Sequence, residues 1–244
     1  MIILIIAALV SGFVFGFDDK QSSFIFTNWF LNFLRLSFFS FIALGVYYLT
    51  QNYAADKYGC NLNYNIWRIQ RFGYGKSAYV RPIKFGPYVL KTIPLGFIVP
   101  LLISYLSYGG LYFTGILSSS FILNPADRLG RVWAKLTEFE EAKIAVSGAL
   151  ANILLAILIK GFRLSSLEDL ILISSITAIS YMLPFPGLDG IKVYFGSKLL
   201  WIFSFSFILL SAFFLNFLNG FLVLVLALIA ALTILATYFY KKNS

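Results

Sequence analysis

The chain has 244 residues, 60% of them hydrophobic, 19% aromatic and only 12% charged, with a mean hydropathy of +0.86 and a net charge of +9. Soluble domains carry about 25% charged residues, so this composition excludes an ordinary globular enzyme, and its hydrophobicity excludes disorder. A single cysteine, Cys60, excludes a disulfide framework and a Cys-only zinc site, and the absence of histidine removes imidazole as base, proton relay or metal ligand.

Several apolar runs approach the ~20 residues that cross a ~30 Å hydrocarbon core, which predicts one compact multi-pass membrane domain. The first, Met1 to Phe17, lacks a basic leading segment and an Ala-x-Ala cleavage site, so it is expected to be an uncleaved span. After Asp18, Asp19 and Lys20, a second helix is predicted from Trp29 to about Ala55, with Trp29 as an interfacial anchor. Asn61 to Ile69 alternates polar and apolar residues with period two, a strand signal. Gly73-Tyr74-Gly75-Lys76 supplies a turn, and Tyr79 to Lys84 is expected to return as the second strand of a β-element over about 61–84. Residues 56–91 hold seven Lys/Arg against one acid, so this element is expected to lie on the cytoplasmic membrane face.

Residues 89–106 are apolar enough to span, yet Pro94 and Pro100 interrupt them, and a re-entrant or broken hairpin competes with a full crossing. Residues 118–143 read as a polar loop. Further spans are predicted over Ile144–Ile159, Leu167–Leu183, Leu199–Leu218 and Phe221–Tyr240, with Asn219-Gly220 as a tight turn and Lys241-Lys242 in the tail. If 89–106 returns to its own side, most of the Lys and Arg gather on one face; a full crossing divides them evenly. The positive-inside rule therefore favours six spans plus one re-entrant element, with both termini cytoplasmic in the cell membrane. The positive balance is accounted for in this way, and no nucleic-acid partner is expected.

Two patches bear on chemistry. Small residues at Ser147, Gly148 and Ala151 permit close helix approach, and Asn152 needs a partner inside the bundle. Leu183-Pro184-Phe185-Pro186-Gly187-Leu188-Asp189-Gly190 ends a membrane span in a carboxylate, which is either a solvated loop residue or one that must be paired. Taken together they resemble the site-2 protease family of intramembrane zinc metalloproteases, in its compact archaeal-type form. Gly148 to Asn152 is similar to the family's Gly-Pro-x-x-Asn-like stretch, with Ala149 in place of proline, and Leu188-Asp189-Gly190 resembles the Leu-Asp-Gly motif that supplies the third zinc ligand. The resemblance covers about residues 40–200. It implies a core over 29–198, preceded by an N-terminal span and outer loop (1–28) and followed by a C-terminal hairpin and basic tail (199–244).

That family carries His-Glu-x-x-His on its first core helix, followed by a small residue and a glycine. Ala55 and Gly59 fit that tail, which places the motif at Tyr47, Tyr48 and Gln51. Both zinc-binding histidines and the glutamate base are thereby replaced. Tyrosine has a pKa near ~10 and glutamine does not ionise, so neither is a good zinc ligand. Asp189 alone offers one ligand where a catalytic zinc needs three. Cys60 lies beyond the helix end and reads as a small buried residue. The expectation is a non-catalytic, cofactor-free pseudoprotease in which hydroxyls of Tyr47 or Tyr48 and the Gln51 amide satisfy Asp189 and Asn152. Such a protein would serve as an accessory, scaffolding or regulatory subunit contacting membrane lipids and other membrane proteins or a transmembrane segment. Trp67, Arg68, Arg71, Lys76, Arg81, Lys84, Arg128, Arg131 and Lys135 are the candidate docking residues. An active metalloendopeptidase with unusual ligands, and a transporter or channel, are the competing readings.

Overall fold

The computed structural model describes residues 2–18, 25–69, 83–85, 88–90, 92–123 and 136–243. Its frame is helical: α1 (Ile2–Phe15), α2 (Phe26–Lys57), α3 (Leu95–Leu106), α4 (Glu138–Gly161), α5 (Glu168–Met182), α6 (Asp189–Gly196), α7 (Lys198–Phe214) and α8 (Gly220–Asn243). Three of these, α2, α4 and α8, are long and apolar enough to cross a membrane; α1, α3 and α7 are shorter apolar helices. At 1.5 Å per residue the 12 residues of α3 rise only ~18 Å, and Pro100 lies inside it.

α4 is the central element. Its apolar window is 61% buried, against 28% for α2 and 22% for α8, so it is the helix around which the others pack. Thr137 and Glu140 start it with reciprocal hydrogen bonds, each side chain accepting from the other residue's backbone N–H. Glu138, Glu140 and Glu141 in the first turn and Lys160 in the last complement the helix dipole. Along its length Ala142, Ala145, Gly148, Ala149 and Ala156 are buried, and these small side chains bring neighbouring helices close. The main core runs from Ala7 and Leu44 through Ala145 and Ile153 to Ile208 and Ala227.

The strand expected at Asn61 is present as β1 (Cys60–Ile66), but its partner is not the one expected. β1 pairs antiparallel with β4 (Leu117–Leu123), with Tyr64 opposite Ser119. β2 (Ile83–Phe85) pairs with β3 (Tyr88–Leu90) as a separate small hairpin. The predicted turn Gly73–Lys76 lies outside the described residues. The reading of 118–143 as one polar loop is also corrected, because its first part is β4 and its last part opens α4. Ser118-Ser119-Ser120 conceals a strand whose buried positions, Leu117 and Ser119, alternate with more exposed ones.

Trp29 is half-buried and donates from its indole N–H to the Gly16 carbonyl at 2.9 Å, so it latches the turn between α1 and α2. Those helices touch where Gly12 meets Ser37: a Cβ added at Gly12 would lie 2.6 Å from the Ser37 Cα. Gly45, also on α2, has nothing within 4 Å of that position. Gly12→Ala should therefore lower the thermal unfolding midpoint in detergent by forcing α1 and α2 apart, at a cost of about 1–3 kcal/mol. Gly45→Ala should raise it, by up to ~1 kcal/mol of helix propensity. Equal shifts in the two variants would remove close packing as the reason for Gly12.

Candidate functional site

Asp189 opens α6 and is only 2% exposed, so it is not a solvated loop residue. The segment before it reverses the chain tightly. Gly187 has φ +96° and sits where a Cβ would strike the Trp67 indole at 2.6 Å. Trp67 donates to the Pro186 carbonyl at 2.7 Å, and Trp201 donates to the carbonyl of Met182, the last residue of α5, at 3.1 Å. A side chain at Gly190 would collide with that same carbonyl. Leu-Asp-Gly is thus a geometric necessity: the residue after the aspartate must be glycine for α6 to fold back onto the end of α5.

Each carboxylate oxygen of Asp189 accepts two hydrogen bonds. Oδ2 receives the Tyr47 hydroxyl at 2.6 Å and the Gln51 amide at 2.8 Å, across 142 and 138 residues of sequence. Oδ1 receives the Ser119 hydroxyl at 2.7 Å and the Lys192 ammonium at 2.8 Å. Lys192 also donates to the Ser119 carbonyl at 2.7 Å and to the Ser119 hydroxyl. The Gln51 amide further donates to the Ala145 carbonyl of α4 at 3.1 Å. Tyr47 and Gln51 are one helical turn apart, so both face α4. Gly148 of α4 makes room for them, since a Cβ there would lie 2.9 Å from the Tyr47 ring and from the Gln51 side chain.

Burial by itself would push the Asp189 carboxyl up. The Lys192 charge and the bonds from Lys192, Tyr47 and Ser119 outweigh it and hold the group below the usual carboxylate range. Tyr64, on β1, is shifted the other way: burial, then the Asp189 charge, raise its phenol well above the ordinary value, so it stays a neutral donor. Its hydroxyl lies 3.3 Å from the Asn52 Oδ1 and 3.5 Å from the Gln51 Oε1.

Of the residues singled out from sequence, the structure brings Tyr47, Gln51 and Asp189 together. Tyr48 is turned aside and meets the Tyr64 ring edge-on. Asn152 is buried but has no hydrogen-bond partner among the described residues, which corrects the expectation that the cluster satisfies it. Trp67 is corrected as a docking residue as well: it is buried against Phe113 and Leu188. Arg68 is exposed. Lys84 has its backbone in β2, while Arg71, Lys76, Arg81, Arg128, Arg131 and Lys135 lie outside the described residues. Cys60 is buried at the start of β1.

Lys192 and Ser119 are the functional residues that sequence reasoning missed. Asp189 and Lys192 stand at the i,i+3 spacing of a helical ion pair. That signal was legible only if residues 189–196 were read as helix rather than loop. Ser119 carried no local signal, because a strand 70 residues away from Asp189 delivers it.

The donor set does not suit the zinc ion that the resemblance implies. A catalytic zinc requires three protein ligands, and here an ammonium already occupies the carboxylate while a tyrosine hydroxyl and an amide donate to it. The Lys192 ammonium donates to Asp189, to the Ser119 carbonyl and to the Ser119 hydroxyl, so Ser119 sits within the same ion-paired cluster.

Comparison with protein-family models, with curated proteins and with solved structures returns no match to this chain.

Lys192→Met should destabilise the protein by about 3–5 kcal/mol, because it strands a buried carboxylate, and Asp189→Asn/Lys192→Met should recover most of that loss. The sign with pH follows from the depressed carboxyl. Its stabilising contribution is complete above the unfolded aspartate value of ~3.9 and fades as pH falls through the lower folded value. The stability difference between wild type and Asp189→Asn should therefore stay level from neutrality to about pH 4 and shrink only below it. Thermal melts across that range test both expectations; a difference that already fades at pH 6 contradicts the assignment.

Proposed function

We propose that this chain is a non-catalytic membrane protein of site-2-protease-like design. It acts as an accessory, scaffolding or regulatory subunit that holds membrane partners rather than cleaving them. One observation carries this reading. The three positions that the resemblance matches to the family's zinc ligands, Tyr47, Gln51 and Asp189, converge within 2.6–2.8 Å hydrogen bonds. Their chemistry is that of a closed polar lock and not of a metal site. Asp189 already accepts four donors, so it has no capacity for a nucleophilic water.

In this reading the chain is a multi-pass protein of the cell membrane, with six spans, a re-entrant segment at α3 and cytoplasmic termini. The short helices α1 and α5, at ~21–23 Å, cross with local bilayer thinning. The exposed apolar faces of α2 and α8, including Phe38, Leu49, Leu222 and Ile229, meet lipid and the transmembrane segments of partner proteins. Arg68 faces the anionic inner leaflet or a soluble partner.

The test is metal analysis of the purified full chain, paired with reconstruction of the motif. Wild type should carry no stoichiometric zinc and should leave a transmembrane peptide substrate intact in liposomes. Tyr47→His/Tyr48→Glu/Gln51→His/Lys192→Ala should bind about one zinc per chain, because it restores two imidazoles one turn apart facing Asp189. One zinc per wild-type chain, or zinc-dependent cleavage by it, would sink the proposal. Failure of the rebuilt variant to bind zinc would remove the correspondence of positions on which it rests.

A further inference from the structure

A second site lies away from the Asp189 cluster, at the end of the bundle where α4 finishes, α5 begins and α7 finishes. A cleft of about 560 Å³ opens there between α5 and α7. Its walls are one face of each helix: Leu172, Ser175 and Ile179 along α5, and Leu209, Ala212 and Phe213 along α7. Its mouth is polar, with Lys160, Glu168, Asp169 and Asn216. A smaller cavity of about 190 Å³ continues from it past Lys160 and Glu168 to Arg163.

The charges at the mouth differ in one respect. Asp169 is neutralised by an ion pair with Arg35 of α2. Lys160, Arg163 and Glu168 make no ion pair among the described residues. Two cations and one carboxylate thus line the polar end: Lys160 and Glu168 border both cavities, and Arg163 borders the smaller one. From Glu168 to Ile179 the cleft follows α5 for ~16 Å, about half of a ~30 Å hydrocarbon core. A partner's transmembrane helix would run the full thickness. A lipid tail occupies one leaflet and ends in a charged headgroup, and that is the shape of this cleft.

We propose that the α5–α7 cleft is a binding site for a phospholipid with an amine-bearing zwitterionic headgroup. The acyl chain lies between α5 and α7, the phosphate meets Lys160 and Arg163, and the headgroup ammonium meets Glu168. Phosphatidylglycerol offers its phosphate to the two cations but only neutral hydroxyls to Glu168, so Glu168 is the residue that selects the amine. The proposal rests on the membrane setting of the chain but not on the state of the Asp189 cluster.

Native mass spectrometry of the delipidated full chain tests it, with added palmitoyl-oleoyl phosphatidylethanolamine or phosphatidylglycerol as probes. Wild type should retain the phosphatidylethanolamine adduct about five-fold more than the phosphatidylglycerol one, the scale of a single charge contact. Ala212→Phe, which fills the cleft, and Lys160→Gln, at its mouth, should each reduce that adduct by about five-fold. Glu168→Gln should bring the two lipids to near parity. Equal adducts in wild type and both cleft variants mean annular lipid only and overturn the site. A wild-type preference for phosphatidylglycerol overturns the headgroup assignment. If Ala212→Phe fails to fold, Lys160→Gln decides alone, because its side chain lies at the rim. Neither result alters the zinc measurement, so failure here and failure of the pseudoprotease reading are separately visible.

Discussion

A carboxylate in a water-poor interior must be neutralised or saturated with donors, and Asp189 is both. Transfer of an unpaired ion out of water costs several kcal/mol even after relaxation, so such a residue organises everything that must reach it. Here α2 contributes a hydroxyl and an amide, β4 contributes a hydroxyl, and α6 contributes an ammonium from the residue three positions on. Remove any one of these elements from its place and a buried charge loses part of its shell. Asp189 therefore ties α2, α6 and the β1–β4 sheet to one another within the apolar core they share.

The packing around the cluster serves the same end. Gly148 lets α4 approach α2 at the level of Tyr47 and Gln51, and the Ala145 carbonyl takes the second Gln51 N–H. Gly187 and Gly190 allow the chain to turn over Trp67 and close on the end of α5, which aims Asp189 inward. Tyr181 of α5 donates no freedom to the site: its ring lies against Tyr47, and its hydroxyl accepts the Leu117 N–H at the start of β4. The result is a rigid polar lock inside an apolar bundle. Both oxygens of the Asp189 carboxylate are engaged within it.

Local pattern carried part of this. The period-two run at Asn61 announced a strand and the apolar runs announced helices near their observed bounds, whereas Tyr47 and Gln51 were singled out only by the family resemblance. Ser147-Gly148 was legible as a close-approach site because small residues in an apolar helix have few other uses. The partner of β1 was not legible, since Tyr79–Lys84 was the nearer candidate while the serines of Leu117–Leu123 read as loop, and pairing is decided by which edge the folded helices bring alongside. Asn152 looked as though it belonged to the cluster, yet its amide ends without a hydrogen bond among the described residues. Sharing a helix face with Gly148 did not bring it to the same donors.

From its composition and hydrophobic periodicity the sequence alone determined an apolar helical protein and a chemistry without imidazole. Those properties are local, set by which side chains are present and how they recur along one chain. The tertiary structure alone decided that Ser119 closes the second carboxylate oxygen, and that a cleft opens between α5 and α7 beside Lys160 and Glu168. Both depend on residues far apart in sequence, Ser119 standing 70 positions from Asp189, and such distances exist only once burial of the apolar faces has brought the helices and the sheet together.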